Sequence, residues 1–226
     1  MNFEGKTVMI TGAAGNLGRA VAKGFSELGA ILVLLDTKSR GDEKGLFIAT
    51  ELLDQKSVDA AAAKAIERFG RIDVLTNIAG GFRMGSPLHE TSDEDWNFLF
   101  DTNVRTVLHT ARAVVPRMLA AGGGKIINIG AFAAQKGAAQ MAAYTASKSA
   151  VIRLTEAMAA ELRGQGINVN CVLPTVIDTP QNRAAMPKAD PDRWVAPQNL
   201  ARIIAFLASD DARDVHGAAV PVTGLS

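Results

Sequence analysis

KTVMITGAAGNLGRAVAKGFSELGAILVLLD, residues 6–36, decides the fold. KTVMITG (6–12) is an apolar run of strand length, and NLGRAVAKGFSELG (16–29) spaces its apolar residues as a helix does and stops at Gly29. AILVLLD (30–36) is a second apolar run. A strand, a helix and a strand with no hairpin turn between them form a crossover, which makes the strands parallel. The alternation continues outward. GLFIAT, IDVLTNIAG, GKIINIG and INVNCVLP read as further strands and HGAAVPV (216–222) as the last, with helices expected at 56–70, 93–121, 142–163 and 197–208. The expectation is an α/β fold: one domain over 1–226, a doubly wound parallel sheet flanked by helices.

With 226 residues the chain can bury one core of this kind. Its 24 basic and 23 acidic side chains nearly cancel, which argues against nucleic acid as a partner. No apolar run reaches the roughly 18 to 20 residues of a membrane span. Cys171 is the single cysteine and MNFEGK starts with charges, so a cytoplasmic location is expected. His89, His109 and His216 lack ligand spacing, and no metal site is expected. Residues 174–197 hold five of the eight prolines and read as a mobile substrate lid.

TGAAGNLGR (11–19) lies where the first strand hands over to the first helix. Gly12, Gly15 and Gly18 leave room for a pyrophosphate, and the helix start at Asn16 and Leu17 offers unpaired N–H groups and a positive dipole end. A tight turn alone would explain the glycines. Asp36, eighteen residues after Gly18, adds a carboxylate that can accept from both ribose hydroxyls of a dinucleotide. It would repel a 2′-phosphate, so NAD(H) is favoured, with NADP(H) open because Lys38 and Arg40 follow closely.

Tyr144 and Lys148 stand four apart in a helical segment, on one face. Bringing a phenol from about 10 to about 7 takes roughly 4 kcal/mol, part of which a facing ammonium supplies. The acids Asp93, Glu94 and Asp95 follow Ser92 and are explained by helix capping.

TGAAGNLG, NIAG (77–80), Asn103 in DTNV and YTASK (144–148) together resemble the short-chain dehydrogenase/reductase family over the whole chain. The resemblance implies a Rossmann-type sheet, a nicotinamide cofactor and a small-molecule substrate. It implies Tyr144 as proton donor or acceptor, Lys148 as its partner and ribose contact, and Asn103 holding a water beside Lys148. Asn77, Ala79, Gly80, Glu51, Leu52, Pro174, Ile177 and Thr179 are implied around the cofactor. Glu51 stands where an aspartate is more usual, and Asn77 is usually structural. The alanine-rich helices, with Ala111, Ala113, Ala150, Ala157 and Ala159, imply a homodimer or homotetramer.

The family normally keeps a serine thirteen residues before the tyrosine, and here that position is Ala131. NIAGGF (77–82), GAFAA (130–134) and LPTVIDTPQNRAAMPKADPDRW (173–194) resemble the dihydropteridine reductase-like branch, which does without it. A quinonoid dihydropterin spreads incoming charge over ring nitrogens and needs less help from a fixed hydroxyl. Phe82 then lies against the flat substrate or caps the sheet. Asn103 and the full NIAG equally fit an alcohol dehydrogenase or ketoreductase, in which Gln135, Gln140 or a water replaces the hydroxyl. A third reading is a non-catalytic NAD(H)-sensing protein. Met84, Met141, Met186 and Trp194 line the pocket or belong to core and lid. Asp36 predicts a higher kcat/KM with NADH than with NADPH in parallel assays; a clear NADPH preference would refute that assignment.

Overall fold

The computed structural model describes residues 1–41 and 44–226. Strands β1 (Thr7–Thr11), β2 (Ile31–Asp36), β3 (Leu46–Ala49), β4 (Val74–Asn77), β5 (Gly124–Ile129), β6 (Ile167–Pro174) and β7 (Ala219–Val222) form one sheet in the order β3-β2-β1-β4-β5-β6-β7. Every pairing is parallel. The parallel pairing puts the C-terminal ends of the strands at one edge, and the reversal of order between β1 and β4 opens a crevice there of the kind that takes a ligand in such sheets. Pro221 is tolerated in β7 because that strand lies at the sheet edge.

Alternation along the strands feeds two cores. Val8, Ile10, Leu32 and Leu34 pack with Val21 and Phe25 of α1 (Asn16–Glu27) and Leu200 and Ile204 of the C-terminal helix Pro197–Ala208. Met9, Val33, Leu35 and Leu75 face the other way, onto Val58 and Ala62 of α2 (Gln55–Phe69), which Asp54 caps by accepting from the Lys56 N–H. Among the described residues the link from β2 to β3 carries no helix. No helix among them is long and apolar enough to cross a membrane.

The single helix expected over 93–121 is instead α3 (Asp93–Phe100), a π-helical turn at Asp101–Arg105, and α4 (Thr106–Ala120). The reason is local competition for backbone groups. Thr102 and Thr106 hydroxyls bond carbonyls four residues back, and Asn103 turns inward to bond another loop. Helix α5 (Ala142–Leu162) follows β5 as expected. The proline-rich segment after β6 holds α6 (Pro180–Ala185) ahead of α7 (Pro197–Ala208); Thr179 accepts from the Asn182 N–H and Pro180 takes the first turn, so six residues form a helix without a periodic pattern. Its two ends meet where Val195 donates to Val176 O and Asp178 donates to Val195 O.

A chain of buried side chains runs across the middle of the molecule. Thr110 of α4 donates to Asn77 Oδ1 at 2.9 Å, Asn77 Nδ2 donates to Asn128 Oδ1 at 2.8 Å, and Asn128 Nδ2 donates to Thr155 of α5 at 2.9 Å. Asn77 and Asn128 are register partners on β4 and β5. Asn128→Ala would strand the Asn77 amide in the core, and a loss of about 2 to 3 kcal/mol in urea unfolding is expected. A loss below about 0.5 kcal/mol would show that water takes its place.

Candidate active site

The glycine turn joins β1 to α1 at the C-terminal edge of the sheet. Gly12 has φ +63, and a methyl there would sit 2.9 Å from the Ala79 backbone. A methyl on Gly18 would lie 2.1 Å from Gly12 O. Both glycines therefore serve the packing of the turn itself, whereas Gly15 caps α1 with no side-chain hydrogen bond and meets only Gly12 O at 3.3 Å. With no side-chain cap, the start of α1 is of the kind that can accept an anion. Thr11 accepts the N–H groups of both Ile78 and Ala79, which joins the turn to the NIAG segment.

Asp36 ends β2 beside this turn. One carboxylate oxygen accepts from the Ala14 N–H at 2.9 Å and the other from the Thr37 N–H at 2.8 Å. Each oxygen keeps a lone pair for a further donor. Arg40 turns back to donate to Ala14 O at 3.0 Å. Glu51 is exposed and its carboxylate accepts from the Leu53 N–H, while buried Leu52 contributes its carbonyl to His109 Nδ1 at 2.9 Å.

Tyr144 and Lys148 share one face of α5. Lys148 is 6% exposed and donates to Ile129 O at 2.8 Å; Asn103 Oδ1 and Lys148 Nζ lie 2.9 and 3.2 Å from where a Gly80 side chain would begin. Tyr144 packs in the cluster of Ala131, Ala134, Val151, Ile152, Cys171 and Leu173. Burial pushes the phenol up to about 12 and the ammonium down to about 8. This corrects the expectation of a phenol drawn toward neutral pH by the lysine: here Lys148 is held on a backbone carbonyl, and desolvation drives both groups toward their uncharged forms.

Asn103 lies beside Lys148 at Gly80. Its side chain accepts from the Gly81 N–H at 2.9 Å and donates to Gly81 O and Ser147 Oγ, each at 3.1 Å. Ser147 in turn donates to Tyr144 O. Asn103 thus clamps the NIAGG segment against α5. Asn77 spends its side chain in the buried amide chain and is not open to a ligand. Ile177 O accepts from Asn182 Nδ2, and Pro174 closes β6 at the same sheet edge. Gln135 and Gln140 are exposed, and Trp194 is buried at the base of the proline-rich segment. Sequence reasoning missed Ser147 and Asn128. An asparagine in the buried run IINIG was the available signal for Asn128; Ser147 carried none.

A model described as short chain dehydrogenase matches residues 6–190. The chain belongs to the short-chain dehydrogenase family. It is accordingly an oxidoreductase of the nicotinamide-dependent kind. It is 34% identical to D-threitol dehydrogenase of Mycolicibacterium smegmatis, over 98% of this chain and 93% of that one. It is 32% identical to the 3-oxoacyl-(acyl-carrier-protein) reductase FabG of Escherichia coli, over 99% and 98%. The fold superposes on NAD+-bound xylitol dehydrogenase with a TM-score of 0.90 at 26% identity, over 99% of this chain and all of that one.

The Lys148 shift fixes a sign. Its folded value lies below the 10.5 of the free side chain, so between pH about 8 and 10 the unfolded chain holds a proton that the folded chain has released. Stability must rise with pH through that window. Relative to Lys148→Met, the wild type should gain up to about 1 kcal/mol per pH unit from pH 8 to 10 in chemical denaturation. A flat difference would show that the ammonium is solvated.

Proposed function

We propose that this protein transfers hydride between NAD(H) and a small substrate whose reacting double bond belongs to a conjugated ring, with a quinonoid dihydropterin as the type. Ala131 carries the reading. Its methyl group is 4% exposed in the cluster around Tyr144, at the position where a hydroxyl would polarise a ketone. A substrate with its own charge sink has least need of that donor.

The residues fit a dinucleotide. The uncapped start of α1, with Gly15, Asn16 and Leu17, suits the pyrophosphate, and the Asp36 carboxylate suits the ribose hydroxyls and opposes a 2′-phosphate. Glu51, Leu52, Ala79, Gly80, Pro174, Ile177 and Thr179 border the same sheet edge or its loops. When bound, the nicotinamide carries the hydride. At neutral pH Tyr144 is protonated and can give its proton to the substrate atom that gains electron density. A phenolate left there is costly without a cation, which is the role of Lys148 once its ammonium turns from Ile129 O.

Residues 174–197 act as a lid in this reading. Asn16 Nδ2 donates to Gln181 Oε1 at 2.6 Å, so α6 reaches the glycine turn. A homodimer or homotetramer through α4 and α5 is part of the proposal; of the five alanines named for it, Ala113 and Ala159 are buried within the subunit and Ala157 is exposed. A cytoplasmic location is proposed on the same footing.

The names of the relatives favour a second reading, an alcohol dehydrogenase or ketoreductase. Incubation with NADH and quinonoid dihydropterin separates the two. Fast oxidation that falls at least about 10²-fold in Tyr144→Phe supports the first, and turnover confined to ketones or alcohols supports the second. Tight NADH binding with no turnover leaves a sensing protein. If the first holds, Ala131→Ser should raise kcat/KM on isolated ketones about 10- to 100-fold while changing dihydropterin reduction only a few-fold.

A further inference from the structure

We infer that Phe82 recognises the substrate and selects a flat ring over an open chain, a role that rests on the hydride-transfer reading above. The loop between β4 and α3 is fixed on both sides of this residue. Gly81 gives its N–H and its carbonyl to Asn103, and a methyl on Gly81 would strike the Phe98 ring at 2.7 Å. Arg83 lies 4.0 Å over the same Phe98 ring and donates to Asp95 at 2.5 Å and Glu94 at 3.3 Å. Gly85 donates to the carbonyl of Gln140, a residue held at φ +61 just before α5.

Between these anchors Phe82 is 56% exposed. Its ring contact is with Tyr144, edge to face, at a centroid distance of 4.8 Å and 84°. A residue that merely capped the sheet would bury its ring. Met84 and Leu88, 56% and 63% exposed, continue the apolar surface along the same loop.

The occupant follows from the position of the phenol. The reacting atom must come within about 3 Å of the Tyr144 oxygen. A ring attached to that atom meets the Phe82 ring, and aromatic pairs in such offset or edge arrangements gain more than their area alone. A four-carbon chain at Tyr144 has no ring to set against Phe82. Arg83 does not attract an anion here, because Asp95 and Glu94 already neutralise it. The fitting ligand is an uncharged conjugated ring.

Phe82→Ala and Phe82→Tyr test this, with a quinonoid dihydropterin and butane-2,3-dione as probes. Phe82→Ala should lower kcat/KM for the ring about 10- to 100-fold, mainly through KM, and for the dione less than about threefold. Phe82→Tyr should restore ring turnover, and NADH binding by fluorescence should stay unchanged. An equal fall for both probes, no fall for the ring, or a wild type that reduces only the dione overturns the inference. If the wild type reduces neither, hydride transfer fails separately, and equilibrium dialysis of 7,8-dihydrobiopterin against NADH-loaded protein decides. Retention lost in Phe82→Ala supports the role of Phe82; equal retention, or none in the wild type, overturns it.

Discussion

The buried hydrogen-bond chain Thr110–Asn77–Asn128–Thr155 is the constraint on which the rest of the site depends. A parallel sheet buried on both faces has nothing polar of its own to fix how far a covering helix slides along it. These amides and hydroxyls supply that register in a dry interior, where an unpaired group is expensive and a misplaced helix would leave several. One end of the chain lies on α4 and the other on α5. The helix bearing Tyr144 and Lys148 is thereby indexed to the strand whose last carbonyl receives Lys148.

Burial gives this site its electrostatic character. It lifts the phenol and lowers the ammonium, so each reactive group is pushed toward its uncharged form. A positive ring brought alongside changes that balance by direct attraction for a phenolate. Ala131 belongs to the same logic, since its methyl adds to the apolar wall around Tyr144 where a hydroxyl would have softened it.

Much of the architecture was legible in the sequence because period-2 and period-3.6 patterns report burial directly. Among the described residues the seven strands and the helices expected at 56–70, 142–163 and 197–208 fall where the apolar runs place them, within a few residues, whereas the one expected over 93–121 is interrupted. The glycine turn and Asp36 were legible as well, since backbone room and a strand-end carboxylate are written in residue type. What was not legible depends on contacts between distant segments. No local pattern announces that Asn103 faces Gly81, that Gly12 and Gly18 answer to Ala79 and to each other, or that Lys148 bonds Ile129 O. The short helix Pro180–Ala185 escaped because a cap and a proline, rather than an apolar stripe, make it.

The widened turn at Asp101–Arg105 also constrains how this chain can change in length. Such a turn accommodates one residue more than the regular helix would, and that surplus swings Asn103 toward Gly81. Removing a single residue there would let the coil rewind to a regular helix with α4 still in phase, and Asn103 would lose its inward turn. A residue lost from a regular helix would instead rotate everything beyond it by roughly 100°, so a deletion at this turn spares the packing of α4 and removes only the clamp on Gly81.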